Sequence, residues 1–246
     1  MGDNAEKVKP YDSTAEGKTG QVQQMFDSIA PAYDFMNRAM TFGIDKLWRK
    51  CAVKKLLKYK HENILDVASG TGDLAVMLHK YCAPKSIIGV DLSENMLQIA
   101  REKVMAKDIS DVVTFEQGDC LKMRFDDNSF DVVTVAYGVR NFENLKAGYA
   151  EIFRVLNAGG VACIIELSTP TNLIVKLGYN LYSNVIIPTI GRMISRDKRA
   201  YKYLPESIAA VSQGEQMLDI MRSVGFADCR FYPLTLGACT IYMGEK

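Results

Sequence analysis

Apolar positions along the chain follow two alternating periods. Short, nearly continuous apolar runs predict buried strands at about 63–68, 86–91, 112–117, 130–136 and 159–167. Segments such as Leu97-x-x-Ala100-Arg101-x-x-Val104 carry helical spacing, which predicts helices at 72–82, 94–106 and 144–156. Ser93 is placed to cap one of them, with Met96 in its first turn. Asn157-Ala158-Gly159-Gly160 is expected to close a helix with glycine at C′ and open the next strand. A helix at 214–223 and strands near 226–234 and 237–244, joined by a tight connection at Leu236-Gly237, complete the pattern. Strands alternating with helices predict a doubly wound α/β fold.

Two stretches fall outside this alternation. Residues 1–20 are polar and carry Gly2, Pro10, Gly17 and Gly20, which suits a flexible arm. From Val22 to Trp48 the apolar and aromatic content rises, broken by Pro31 and Gly43, as expected of two or three short helices forming a lid over residues 21–50. The remaining 51–246 form one domain, interrupted at about 170–213. There an apolar run from Leu173 to Ile187 precedes Arg192, Arg196, Lys198, Arg199 and Lys202. Such a helical insertion suits a core helix, a dimer interface or a membrane-facing groove.

Composition narrows the classes. Thirty basic against 29 acidic side chains leave a net charge of +1, so no overall field recruits nucleic acid. Six cysteines without a CxxC pair read as reduced thiols, and His61 and His79 are too far apart for a local ligand pair, so no metal is expected. No apolar leader and no run of about 18 apolar residues is visible, which predicts a cytoplasmic chain.

The chemistry starts where the first strand ends. Ile64-Leu65-Asp66-Val67 runs into Ala68-Ser69-Gly70-Thr71-Gly72-Asp73, and the next strand, Ile87-Ile88-Gly89-Val90, ends in Asp91. Glycines permit close backbone approach, a helix start exposes free N–H groups, and an acid at the second strand tip can accept both ribose hydroxyls. That combination points to an adenosine-containing cofactor. Gly70, Gly72 and Ala75 also fit the dinucleotide fingerprint. Asp66 and Asp73, however, put carboxylates where a pyrophosphate would lie, which is unfavourable for an anion and favourable for the cationic S-adenosyl-L-methionine. Asp73 can alternatively cap its own helix. Asp66-x-Ala68-x-Gly70-x-Gly72 resembles the acid-x-Gly-x-Gly-x-Gly motif of class I methyltransferases, with Ala68 at the first glycine.

Further candidates follow from strand ends. Asp91 is the expected ribose acceptor, Thr71 with the Gly70–Gly72 backbone the contact to methionine and ribose, and Asp66 the orienter of the amino group. Asp119, after the third strand, can accept from the adenine amine while the Cys120 N–H meets a ring nitrogen; alternatively it caps a turn. Arg140 and Asn141, beyond the fourth strand, face the substrate.

Met25-Phe26-Asp27-Ser28-Ile29-Ala30-Pro31-x-Tyr33-Asp34-x-Met36-Asn37 and Phe42-Gly43-x-x-x-Leu47-Trp48-Arg49 resemble one signature of the menaquinone and ubiquinone C-methyltransferase family. Tyr137-Gly138-Val139-Arg140-Asn141 resembles its second, and Glu166-Leu167-Ser168-x-Pro170 is a further match. Family members usually carry His where this chain has Asp45. The resemblance implies a Rossmann-like, mostly parallel sheet with an antiparallel last strand. It also implies transfer of a methyl group to a ring carbon of a polyprenylated quinol, demethylmenaquinol first and 2-polyprenyl-6-methoxy-benzoquinol second.

Such a ring carbon becomes nucleophilic once a ring hydroxyl loses its proton, so the site needs a base or relay and a partner for the phenolate. The expectation is that Arg140 stabilises the phenolate, Asn141 positions the quinol, and Tyr33 with Asp34 supplies the ring contact and proton relay; Arg140 pairing only with a surface carboxylate and Asp34 as a structural helix cap are the alternatives. The alternatives are a nucleotide-dependent oxidoreductase and a non-enzymatic scaffold. The apolar substrate tail points to peripheral contact with a membrane, and a homodimer is left open.

Overall fold

The computed structural model describes residues 4–11, 17–182 and 198–246. Seven strands form one sheet: β1 (Asn63–Val67), β2 (Ser86–Asp91), β3 (Val113–Gln117), β4 (Phe130–Ala136), β5 (Leu156–Leu167), β6 (Ala227–Leu234) and β7 (Cys239–Glu245). Their spatial order is β3-β2-β1-β4-β5-β7-β6. The first five run parallel, and β7 enters antiparallel between β5 and β6. This is the expected doubly wound sheet with an antiparallel last strand, and its order reverses between β1 and β4, where open α/β sheets bind ligands.

Side-chain alternation divides the core. Ile64 and Val132 point to a layer made by α3 (Ile44–Leu56), α4 (Asp73–Cys82) and α5 (Glu94–Met105). Leu65 and Val133 point to the opposite layer, built on α6 (Leu145–Val155) and a helix at Glu215–Ser223. Both faces of the central strands β1, β4 and β5 are covered, so these read as nearly continuous apolar runs rather than alternating ones. Ser93 caps α5 as expected, its hydroxyl accepting from Met96 N at 3.2 Å.

One boundary differs from the sequence reading. Helix α6 ends at Val155 because Leu156 is already extended (φ −69°, ψ 140°) and pairs with Phe130. Sheet pairing stops this helix. Gly159 (φ +76°) instead makes the turn that brings its N–H to the Lys246 carbonyl at 2.8 Å.

A third layer lies over the carboxyl ends of the strands. It comprises α1 (Lys18–Ile29), α2 (Tyr33–Thr41), α7 (Leu173–Leu181) and α8 (Lys198–Ala210), with Met25, Ile29, Met36, Met40, Met96 and Tyr203 in a common apolar cluster. Helix α1 has no cap from its own sequence; Glu143 supplies one, accepting from Lys18 N at 3.3 Å and Thr19 Oγ1 at 2.6 Å. The buried Lys18 ammonium donates to the carbonyls of Ala5 (2.7 Å), Arg140 (3.0 Å) and Phe142 (3.1 Å). Where a flexible arm was expected, Asn4–Lys7 form a 3-10 turn with Ala5 in the core. Residues 183–197 of the insertion, with Arg192 and Arg196, lie outside the described residues.

Candidate active site

Two clefts open side by side beyond β1, β2 and β4. The first, of about 700 Å³, is lined from the sheet by Ala68, Gly70, Asp91, Asp119, Cys120 and Gly138, and from above by Thr19, Val22, Gln23 and Phe26 of α1. The second, of about 720 Å³, is mainly apolar, with Met25, Ile29, Met36, Met40, Leu167 and Leu204 among its walls and Asp45, Arg140 and Asn141 as polar points. Phe26, Tyr33, Tyr137 and Asn141 border both. Whatever fills the two clefts meets across those four side chains.

The first cleft has the parts of a nucleoside site. Asp91 Oδ2 accepts from Gly70 N at 2.8 Å and Oδ1 from Ser93 N at 2.9 Å, which fixes the carboxylate and leaves further lone pairs free. Burial raises its carboxyl above the usual range, and the backbone bonds oppose that rise. Asp119 caps a turn, its Oδ1 accepting from Leu121 N at 2.9 Å, and it lines the cleft beside Cys120.

The glycine loop is shaped by positive φ angles at Ala68 (+52°), Gly70 (+53°) and Gly72 (+76°). A Cβ on Gly72 would lie 2.7 Å from Phe115 Cζ, so this glycine serves close packing rather than ligand contact. Ala68 occupies the left-handed region where the methyltransferase motif has glycine, and its Cβ faces the bare Gly138 so closely that a Cβ there would lie 2.6 Å away.

Asp66, Thr71, Gly72 and Asp34 stand one layer behind the linings. Asp66 is buried; Oδ1 accepts from Thr134 Oγ1 at 2.6 Å, whereas Oδ2 has no hydrogen-bond partner. Burial pushes its carboxyl up to about 7. Thr71 Oγ1 donates to Asp34 Oδ1 at 2.6 Å, and Asp34 Oδ2 meets Lys103 Nζ at 2.9 Å. Asp34 thus joins α2 to the glycine loop and lines neither cleft. Asp73 is paired with Lys103 and with Arg38 at 3.6 Å, so its charge is neutralised within the protein; burial alone would raise its carboxyl, but Lys103, Arg49 and Arg38 together lower it.

The residues present fit S-adenosylmethionine. Asp91 suits a ribose, Ala68 and Gly70 open the backbone beside it, and Asp66, one layer behind, keeps an unpartnered carboxyl oxygen beneath the loop. Among the described residues no group of three or more His, Cys, Asp or Glu could hold a metal ion.

At the second cleft Arg140 is buried, with Nη1 2.7 Å from Glu166 Oε1 and its backbone N–H 3.2 Å from Glu166 Oε2. Nη1 also donates to the Tyr137 carbonyl, and Nε has no partner. Burial works against the guanidinium charge, but Glu166 together with Tyr33 and Tyr203 favours it and Arg140 stays a cation. Asn141 Oδ1 accepts from Tyr203 Oη at 3.1 Å, which leaves the amide N–H groups to donate. The Tyr137 hydroxyl is buried without a partner. Burial raises the Tyr33, Tyr137 and Tyr203 phenols, so all three stay neutral donors near neutral pH.

Sequence reasoning assigned no role to Glu166, Tyr203, Tyr137 or the Asp45–Arg49 pair. Glu166 carried a signal: it is an acid within the apolar run Ile164-Ile165-Glu166-Leu167, and a strand that buries both faces must give such a group a partner.

Residues 14–246 match the ubiE/COQ5 methyltransferase family. The chain is 44% identical over 241 residues to a demethylmenaquinone methyltransferase of Bacteroides fragilis, covering 98% of both chains. It is 40% identical over 230 residues to a ubiquinone/menaquinone biosynthesis C-methyltransferase of Geotalea daltonii, covering 93% of this chain and 97% of that one. In fold it is similar to the crystal structure of a SAM-dependent methyltransferase from Thermotoga maritima, with TM-score 0.63, 20% identity, and coverage of 91% and 99%. A glycine loop shaped for a methyl donor beside an apolar cleft headed by Arg140 and Asn141, together with a match over nearly its whole length, identifies the chain as a member of the ubiE/COQ5 methyltransferase family.

Proposed function

We propose that this enzyme methylates a ring carbon of a polyprenylated quinol, demethylmenaquinol in the first place, with S-adenosylmethionine as donor. The observation that carries this reading is the shared wall of the two clefts, where Tyr33, Tyr137 and Asn141 stand between a nucleoside-shaped site and an apolar one. Homologues whose names specify demethylmenaquinone or ubiquinone/menaquinone biosynthesis support the choice of acceptor.

S-adenosylmethionine, when bound, supplies an electrophilic methyl on a sulfonium. The rest is the work of this chain. Arg140, whose Nε–H lacks a partner, stabilises the phenolate oxygen of the acceptor, and a fixed cation in a water-poor cleft acts there far more strongly than in water. The Asn141 amide donates to a ring oxygen and sets the ring's angle. Phe26 and Tyr33, edge to face at 6.0 Å between centroids, hold the ring plane at the border of the two clefts. Asp34 acts on the glycine loop through Thr71 rather than on the acceptor.

The apolar tail is proposed to leave the cleft toward a membrane surface. Leu173, Ile174, Leu177 and Phe42 are exposed, and Tyr182 brings α7 to Phe42 with ring centroids 6.3 Å apart. These side chains suit shallow insertion of a peripheral protein. No helix among the described residues is long and apolar enough to cross a membrane. Flotation with vesicles should carry the protein upward, and Leu173→Asp with Ile174→Asp should abolish this; flotation unchanged by the pair would refute the docking face.

Methyl transfer itself is tested by turnover of a short-chain naphthoquinol under reducing conditions. Loss of turnover in Arg140→Ala with retained donor binding is the expected result. Near wild-type turnover would remove Arg140 from the mechanism.

A further inference from the structure

The acceptor cleft has a second charged pole that the methylation scheme above does not use. Asp45 lies in the first turn of α3, is 2% exposed, and among the described residues is the single carboxylate lining this cleft. Its Oδ2 is 2.5 Å from Arg49 Nη1, and the Arg49 guanidinium sits 5.1 Å from the centroid of the Tyr137 ring. That pair sets a carboxylate against a guanidinium inside an apolar wall.

The pair leaves acceptor capacity unfilled. Thr41 Oγ1 lies 2.9 Å from Asp45 Oδ1 and 2.7 Å from the Asn37 carbonyl. A hydroxyl has one proton, so Thr41 cannot serve both acceptors at once. When it donates to Asn37, Asp45 Oδ1 has no hydrogen from Thr41. A carboxylate oxygen in that condition calls for an O–H or N–H from whatever occupies the cleft.

We infer that Asp45 accepts the O–H of a ring hydroxyl and thereby makes the cleft select the reduced, hydroxyl-bearing ring over its oxidised carbonyl form. The inference rests on the reading of this cleft as the acceptor site. Arg140 and Asn141 offer donors, so they bind the oxygen that becomes the phenolate. Asp45 offers only acceptors, so it binds an oxygen that still carries hydrogen. A quinol with two hydroxyls satisfies both poles. A quinone presents a carbonyl oxygen to a carboxylate, lone pair against lone pair, and brings no hydrogen to Asp45 Oδ1. Selecting the reduced ring matters chemically, because only the reduced ring can furnish the electron-rich carbon that attacks a methyl group.

The test is equilibrium binding, under anaerobic conditions, of a short-chain naphthoquinol, its mono-methyl ether and the matching naphthoquinone to wild type and Asp45→Asn. The wild type should bind the quinol on the order of ten- to a hundredfold more tightly than the quinone, the scale of one hydrogen bond to a charged group. Asp45→Asn, whose amide can donate to a carbonyl, should bring the two within about threefold and let the quinone inhibit turnover. Donor affinity and melting temperature control for folding, and the mono-methyl ether probes the same contact in unaltered protein, where at least one binding orientation loses its second hydroxyl and affinity should fall. A wild type that binds quinol and quinone equally, or an Asn variant that keeps full discrimination, overturns the role of Asp45. If no ring ligand binds and none is methylated, the acceptor-site reading falls as well. Methylation without discrimination sinks the Asp45 role alone.

Discussion

Arg140 Nη1 and Glu166 Oε1 meet 2.7 Å apart beneath the acceptor cleft, with 7% and 1% of their side chains exposed. They come from the loop after β4 and the end of β5, neighbours in the sheet through Ala136 and Ile165. A buried ion pair adds little net stability, but removing one partner strands the other. Position and charge of Arg140 are thus set by a residue that need not touch substrate.

Stability and catalysis should separate at this pair. Arg140→Ala should cost roughly 3–5 kcal/mol of stability by leaving Glu166 unpaired and lower kcat by about two to three orders of magnitude. The double substitution Arg140→Met with Glu166→Leu should recover most of the melting temperature and none of the activity. Thermal melts and steady-state rates on the three proteins decide this; a double variant that regains turnover would show that Arg140 acts structurally.

Asp66 sets a pH dependence. Burial penalises the anion and pushes its carboxyl up to about 7, well above the usual carboxylate range. The contribution of the neutral acid to stability is therefore complete below about pH 4, erodes as pH rises, and is lost above about pH 7. Asp66→Asn should raise the melting temperature of the cofactor-free protein at about pH 8 and change it little at about pH 4. The same variant should weaken donor binding, since Oδ2 is an unpartnered oxygen beneath the glycine loop. An equal shift at both pH values would contradict the assignment.

Asp34 divides KM from kcat. With Oδ1 bonded to Thr71 and Oδ2 to Lys103, it braces the glycine loop. Asp34→Ala should raise KM for the methyl donor about tenfold or less, the scale of one or two hydrogen bonds, and leave kcat within about twofold. A collapse of kcat at unchanged donor KM would restore the proton-relay role that the sequence suggested.

Ala68 is strained. An L-residue in the left-handed region costs about 1–2 kcal/mol, and the flexibility that glycine adds to the unfolded chain costs about 0.4–1 kcal/mol. Ala68→Gly should be neutral or stabilising by up to about 1 kcal/mol, read from denaturant midpoints. A clear loss of stability would mean that the Ala68 methyl packs against Gly138 more productively than its backbone is strained.

The residues that can be placed from sequence are those at the carboxyl ends of strands. Asp91, Gly70, Asp119, Cys120, Arg140 and Asn141 each follow an apolar run, and the topology alone carries such positions to one edge of the sheet. Asp66, Thr71 and Asp34 belong to the same motifs, yet local spacing cannot tell a lining residue from its support, because that depends on Lys103 and Thr134, some 30 to 70 positions away. Tyr203 and Glu166 reach Asn141 and Arg140 through packing between distant segments, and Lys18 caps its contacts 122 and 124 residues downstream. The central strands β1 and β4 are readable for the opposite reason: burial on both faces writes itself locally as a nearly unbroken apolar run. The end of α6 was not, since pairing of Leu156 with Phe130 overrides the glycine signal.

The most direct measurement is incubation of the purified chain with isotopically labelled S-adenosylmethionine and reduced short-chain naphthoquinol or benzoquinol, followed by mass analysis of the ring product. The account predicts a naphthoquinol carrying one labelled methyl on a ring carbon. Label on a ring oxygen, or no label on either ring, would contradict it.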